Sequence, residues 1–159
     1  MTDVRVTTAD TPARREDAFA VRRAVFVEEQ DVDEDLEWDD WDDHDTTTHF
    51  VAYARTDGTD DEDADERPVG AARLRPKDPD TADVGKIERV AVLDTHRNRG
   101  IGRALMDALE AHGVDHGYDT FHLHSQTQAA DFYATLGYER YGDEFDEAGI
   151  PHVEMRKDA

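Results

Sequence analysis

Residues His96 to Arg103 read His-Arg-Asn-Arg-Gly-Ile-Gly-Arg and concentrate positive charge in an otherwise acidic chain. Arg97, Arg99 and Arg103, with His96, form its one basic island, and Gly100 and Gly102 lie within it. Before the island, Val90-Ala-Val92 closes an apolar, strand-like run. After it, Ile101, Leu105, Ala108 and Leu109 fall on one face of a helix. Strand, glycine loop and helix in that order make an anion site, because the first N–H groups of a helix are unpaired and sit at the positive end of its dipole. Glycines let an anion approach the backbone with no Cβ in the way. A pyrophosphate is the natural ligand. Two nucleotide signatures are missing from the chain, Gly-x-Gly-x-x-Gly and Gly-x-x-x-x-Gly-Lys-Ser/Thr. For Arg-x-x-Gly-x-Gly standing alone, a helix entry with solvated arginines is the competing reading.

Other reactive residues are more scattered. There is no cysteine, which removes thiolate nucleophiles, disulfides and Zn–Cys sites. Asp31-x-Asp33-x-Asp35 starts like a calcium loop, but Leu36 replaces the required glycine and Asp42 stands where glutamate belongs. His112 and His116 are four apart with Gly113 between them, a poor metal pair, so no metal site is expected. His122 and His124 share a strand face, and His44, His49 and His152 flank loop or strand ends. Each could relay a proton, and each is more simply a structural or surface residue.

The elements that must position these groups follow from periodicity and caps. Asp3–Thr8 alternates as a first strand. Asp10 or Thr11 can cap a helix with Pro12 in its first turn, and Ala18, Val21 and Val25 carry that helix to about Glu28. The stretch from Gln30 to Asp45 reads as irregular and acidic, with Trp38 and Trp41 folding it back on the domain. His49–Arg55 and Val69–Leu74 read as a hairpin whose connection includes Asp57–Glu66, a solvated acidic surface loop. Val84–Val92 is the strongest strand, followed by a helix from Gly100 to His112 ended by Gly113 or Gly117. Thr120–His124, a short helix Gln128–Leu136, and the strands Tyr138–Tyr141 and His152–Arg156 complete the chain. The order is β-α-β-β-β-α-β-α-β-β, without repeat or linker. It predicts one domain over residues 1–159 of α+β or mixed α/β class, with a mostly antiparallel sheet flanked by helices.

Forty acidic residues against eighteen basic ones leave a formal net charge of −22. High charge can signal disorder, but the apolar runs Lys86–Leu93 and Phe121–Leu123 are spaced as in a folded domain. The alternative is an acidic, strongly hydrated surface suited to a salt-loving organism, since molar salt shortens the Debye length to about 3 Å. Such a chain has no extended basic face for nucleic acid. It also lacks both a membrane-spanning apolar stretch and a secretory signal pattern, so the expected setting is the cytoplasm.

Arg97-x-x-Gly100-x-Gly102, five residues after Val90-Ala-Val92, resembles the coenzyme-A motif of the GNAT N-acetyltransferase superfamily. Gln126-x-x-Ala129-Ala130-x-Phe132-Tyr133-x-x-Leu136-Gly137-Tyr138 resembles the later motif of the same superfamily. Arg22-x-x-Val25-Phe26-Val27-x-Glu29-Gln30 and Glu147-Ala-Gly-Ile-Pro-His152 are similar to its ElaA-like branch. The resemblance implies a twisted sheet in which the strand ending at Val92 splays from its neighbour. Val90 and Val92 would then offer backbone groups to the pantetheine arm, and Arg97, Asn98, Arg99, Gly100, Ile101, Gly102 and Arg103 would wrap the pyrophosphate. Gln126 stands where the family often has asparagine, and Tyr133 where its tyrosine protonates the departing thiolate.

The implied reaction moves an acetyl group from acetyl-CoA to a primary amine of a small molecule or peptide. With no cysteine for an acyl-enzyme, direct transfer in a ternary complex is expected. A base must lie within reach of the amine. Glu88 is the first candidate: its strand parity with Val90 and Val92 should aim it at the acceptor face, and partial burial should raise its pKa. An ion pair with arginine or lysine neighbours is the alternative for Glu88. The rival functional readings are a non-catalytic acyl-CoA-binding or sensing module and an acidic interaction protein with a decayed site. Partners are thus the coenzyme and an amine acceptor, with a homodimer left open.

Overall fold

The computed structural model describes residues 3–44, 46–55, 66–77 and 83–159. β1 (Asp3–Thr8) leads into α1 (Pro12–Arg22), where Thr11 is the N-cap and its side chain accepts from the Arg14 N–H. The helix does not stop at Arg22. It loosens into a π-helix over Arg23–Glu29, closed by the Gln30 N–H to the Val25 carbonyl at 3.0 Å. The stretch expected to be irregular contains α2 (Glu34–Glu37) and a 3₁₀ turn, Asp40–Asp43, capped at both ends of its first turn by Asp39 and Asp42. β2 (Thr48–Arg55), β3 (Glu66–Pro76) and β4 (Val84–Val92) follow, then α3 (Ile101–Asp115), β5 (Thr120–Gln126), α4 (Ala130–Thr135), β6 (Glu139–Glu147) and β7 (Ile150–Asp158). Of the expected acidic loop, residues 57–65 lie outside the described residues. Glu66 belongs to β3, where it accepts from Arg5 at 2.7 Å.

Seven strands form one sheet in the order β1-β2-β3-β4-β5-β7-β6. Every pairing is antiparallel except β4 with β5. This is the mixed α+β architecture that the element order implied. Helices cover both faces. On one, Leu105, Met106 and Leu109 of α3 pack with Phe50, Leu74, Ile87, Phe121, Leu123 and Met155, and α4 adds Tyr133. On the other, Ala18 and Val21 of α1 and Val25 of the π-helix pack on Val51, Tyr53, Ala71 and Ala91. Each large apolar side chain so buried contributes about 2 kcal/mol. α3 runs through Gly113, which packs tightly on the Phe121 ring, and ends at Asp115. His112 and His116 therefore keep helical spacing, with their rings stacked at 4.0 Å, and among the described residues no three or more histidine or acidic side chains are grouped as a metal site would need. No described helix is long and apolar enough to cross a membrane.

Candidate active site

β4 and β5 run side by side only from Val84↔Thr120 to Ile87↔Leu123. Beyond that point β4 continues to Val92 and β5 to Gln126 without pairing, so the strands part into a wedge. Leu93 N–H reaches the other way, to Val69 on β3 at 2.9 Å. Alternation along the strand therefore turns the backbone groups of Val92 and Val90 toward the wedge. The wedge opens into a cleft of about 690 Å³ whose lining includes Phe26, Arg89, Val90, His124, Tyr133 and Glu147.

A bulge in β4 sets which side chains face which side. Ala71 pairs with Ala91, yet Arg73 pairs with Glu88, so three residues of β4 are spanned by two of β3. Arg89 takes up the extra residue in the left-handed region, at φ 59°. The parity of the strand reverses across it. Ile87, Val90 and Val92 pack on the α3 face, while Ala91 packs with α1. Glu88 goes with Ala91 to the α1 side, where its carboxylate meets Arg73. The face expected to be shared by Glu88, Val90 and Val92 is thus split by one inserted residue, a feature that period-two counting cannot see, although Glu88 still lines the cleft.

The expected upward pKa shift of Glu88 is overturned as well. Its Oε1 accepts from Arg73 at 2.7 Å and from Arg75 at 2.5 Å, and Lys86 lies 3.7 Å from Oε2. Burial alone would raise the carboxyl, but Arg73, Arg75 and Lys86 outweigh it and hold the group at about 2. The two guanidinium groups hold the carboxylate in its charged, paired form. The ion-pair alternative is the one realised.

Glu88 belongs to a larger buried network. Arg22 and Arg73, both fully buried, are clamped by Glu37, Asp39 and Asp42. Arg89 joins Glu37 and Asp39 at 3.0 and 3.4 Å. Asp42 is likewise held at about 2, burial being outweighed by Arg22 and Arg73. Trp38 lies on the Arg22 guanidinium and Trp41 on that of Arg75. Glu37, Asp39 and Asp42 of the acidic stretch are therefore the counter-charge of Arg22 on α1, Arg73 on β3 and Arg89 on β4. The density of that stretch in carboxylates was visible in the sequence; its partners were not, because they lie dozens of residues away.

The glycine loop has the expected strand–loop–helix form. Asn98 and Gly100 adopt positive φ, 65° and 80°, and Gly100 caps α3. The first intrahelical bond is Ala104 N–H to Gly100 carbonyl at 3.0 Å, which leaves the N–H groups of Ile101, Gly102 and Arg103 without helical partners. The Ile101 side chain is core, so only its backbone can serve a ligand. At Gly102 a Cβ would stand 3.1 Å from the exposed Phe132 ring, which would have to give by a few tenths of an ångström. Arg97 forms a two-pronged pair with Glu29, at 2.7 and 2.6 Å, and donates to the Val92 carbonyl at 3.0 Å. It fastens the loop to the π-helix. Arg99 and Arg103 are exposed. Gln126 donates to Gln30 at 2.7 Å and accepts from Gln128 at 2.8 Å, bracing the mouth of the wedge.

Tyr133 is 9% exposed and borders the cleft from the α3 side of the sheet. Burial pushes its phenol well above the usual range, so the hydroxyl stays protonated and able to donate. No described residue hydrogen-bonds it. Across the wedge, on the α1 side, Glu147 bridges two histidines. His124 Nδ1 lies 3.0 Å from its Oε1 and His152 Nε2 lies 3.6 Å from its Oε2. The sequence singled out the histidines as residues that could relay a proton but are more simply structural, and Glu147 only as part of a motif; the β6–β7 hairpin brings them together.

A splayed parallel pair, a glycine-capped helix start beyond it and a buried tyrosine at the opening define a class of acyl-transfer protein. Residues 61–159 match the acetyltransferase (GNAT) domain family. The uncharacterized N-acetyltransferase YjcF of Bacillus subtilis (strain 168) is 44% identical over 143 residues, 89% of this chain and 91% of that protein. A solved structure of a protein described as an N-acetyltransferase, from Lactobacillus plantarum, is 32% identical with a TM-score of 0.81, across 98% of this chain and 97% of the other. Escherichia coli ElaA shares the fold at 23% identity and a TM-score of 0.77, across 99% of this chain and 100% of its own. The chain belongs to the GNAT acetyltransferase family and is an acyltransferase; that family uses acetyl-CoA.

Proposed function

We propose that this enzyme transfers an acetyl group from acetyl-CoA to a primary amine of a small molecule or peptide, directly and with both substrates bound. The observation that carries the reading is the wedge between β4 and β5, which leads from the α3 N-terminus into the cleft. The residues fit the coenzyme. Unpaired N–H groups at Ile101–Arg103, with Arg99 and Arg103 beside them, suit a pyrophosphate. Backbone groups of Val90 and Val92 suit the amide-bearing pantetheine arm, whose thioester then supplies the acyl group. Tyr133 is the group placed to give a proton to the departing sulfur. Arg97, Asn98 and Gln126 hold the loop and the wedge mouth in shape.

The charge belongs to the same proposal. Four arginines (22, 73, 75 and 89) and four carboxylates (37, 39, 42 and 88) cancel within the network, so the excess of −22 lies elsewhere. We read it as an adaptation to a salt-rich cytoplasm. The deciding experiment is thiol release from acetyl-CoA in molar KCl against a panel of amines and peptide N-termini. Turnover with any acceptor supports the reading. Coenzyme binding without turnover selects the non-catalytic sensing module instead.

A further inference from the structure

We infer that His124 is the general base for the acceptor amine and that Glu147 is its positioning residue. The inference rests on the acetyl-transfer reading and assigns a proton acceptor other than Glu88, whose carboxylate is held by Arg73 and Arg75.

Placement comes first. His124 is the first residue of β5 past the last β4–β5 pair, so it stands at the vertex where the strands part. Along β5, Phe121, Leu123 and Ser125 are buried on the α3 side. His122, His124 and Gln126 must then face the α1 side. An arm lying along Val92 and Val90, with its pyrophosphate at α3, brings its thioester toward that same vertex. Tyr133 sits on the α3 side and His124 on the α1 side. An amine entering from the α1 side meets the base on arrival, and the sulfur leaves toward the acid. That is the arrangement direct attack requires.

Glu147 Oε1 can only accept, so the 3.0 Å contact assigns the hydrogen to His124 Nδ1 and leaves Nε2 with a lone pair. A carboxylate fixing the far nitrogen of an imidazole selects the tautomer and stabilises the imidazolium that forms. Glu147 is suited to this because its pKa is lowered, chiefly by the His124 hydrogen bond. The Phe145 ring meets His124 edge-on at 5.0 Å and stacks on His152, limiting rotation of both. His152 Nδ1 faces the Ile150 carbonyl at 2.7 Å, which fixes that ring. The charged and titratable groups around His124 are Lys86, Glu88 and Arg89 on β4, His122 on β5, Glu147 on β6, and His152 and Glu154 on β7, with Glu29, Glu37, Asp39, Arg97 and Tyr133 also lining the cleft. Lys86 is tied to Glu88, His122 lies 3.4 Å from Glu154, and Glu29 is paired with Arg97.

The step balances. His124 Nε2 takes a proton from the amine, directly or through one water, as the nitrogen bonds to the acetyl carbon. The C–S bond breaks and the sulfur takes the Tyr133 hydroxyl proton. The proton on His124 then passes to solvent while the Tyr133 phenolate takes one from it, leaving amide and free thiol.

The test uses the full chain in molar KCl with acetyl-CoA and phenethylamine, hexylamine, spermidine, kanamycin and an alanine-terminated peptide as acceptors. With the best of them, His124→Gln should lower kcat/KM by about a hundredfold or more and remove the acid limb of its pH profile, while the acetyl-CoA thermal shift is unchanged. Glu147→Gln should lower kcat/KM by about tenfold or more, with Glu147→Asp recovering part of the loss. Independently of turnover, ¹⁵N NMR of the histidine rings should find His124 in the Nδ1–H form, and Glu147→Gln should abolish that preference even if His124→Gln fails to fold. Wild-type activity in folded His124→Gln, or an Nε2–H ring in the wild type, overturns the base assignment alone. No turnover by the wild type with any amine overturns the acetyl-transfer reading first, and this inference with it.

Discussion

Replacing Glu88 by glutamine tests whether the carboxylate beside the wedge is a structural counter-ion or a base. Folding moves its pKa from the ordinary 4.5 to about 2. Its side chain is 15% exposed, so little solvent discount applies. A shift of that size corresponds to about 3 kcal/mol of stability. Breaking one partner out of a buried ion pair gives a similar figure by a separate route, about 3–5 kcal/mol. The folded pKa lies below the unfolded one, so this stability is complete above about pH 4.5 and drains away as pH falls toward about 2. Glu88→Gln should therefore cost about 3 kcal/mol at neutral pH. The gap to wild type should narrow between about pH 4.5 and 2, as protonation neutralises the wild-type residue too.

Urea unfolding followed by tryptophan fluorescence is the natural assay, because Trp38 and Trp41 stack on Arg22 and Arg75 of the same network. Runs in molar KCl keep long-range repulsion out of the comparison. Turnover of the folded variant should keep the acid limb of its pH–rate profile. A destabilisation that is under about 1 kcal/mol, or equal at neutral and acid pH, would refute the electrostatic account. An acid limb that flattens would restore Glu88 as the base.

Three further outcomes are expected. Tyr133→Phe should lower kcat by about a hundredfold with coenzyme affinity nearly intact, measured by steady-state kinetics and titration of the thermal shift. Gly100→Asp should abolish the acetyl-CoA thermal shift while Gly100→Asn keeps most of it, since both meet the same left-handed backbone and open space but only one adds charge; equal loss in both would place the pyrophosphate elsewhere. Raising KCl from dilute buffer to molar levels should raise Tm and preserve or improve kcat/KM, because the excess charge is repulsive and long-ranged. A steady decline in both would remove the salt-adaptation reading.

Legibility in the sequence followed the range of the interaction. The α3 entry was readable because Gly100, Ile101 and Leu105 answer to local rules, backbone sign and helical spacing. The hairpin and the strand ending at Val92 were readable for the same reason. The wedge was implied only through family resemblance, since nothing between residues 84 and 92 states where pairing with residues 120–126 must stop. Glu88 was misread as sharing a face with Val90 and Val92 because a single residue, Arg89, breaks the alternation. Its partners, Leu36 and Glu37 carbonyls among them, are more than fifty positions earlier. The network hid behind composition: carboxylates read as surface when their arginines are distant, and Arg22, Arg73 and Asp42 are nonetheless buried.

That misreading exposes how the site is divided. The bulge that turns Glu88 away from Val90 also lets the two sides of the sheet do different work at one opening. On the α1 side the arginine–carboxylate network fills the space behind Glu88 and pins α2 and the bulge through Arg89, so β4 cannot relax back toward β5 without breaking buried pairs. On the α3 side apolar packing around Ile87 and Leu123 holds the vertex closed. The wedge is thus bordered by buried ion pairs on one side and its vertex by apolar packing on the other. In this account the buried charges are kept for geometry rather than for net stability. Replacing Glu88 should therefore disturb coenzyme binding through the shape of the wedge, while leaving proton transfer to His124 and Tyr133.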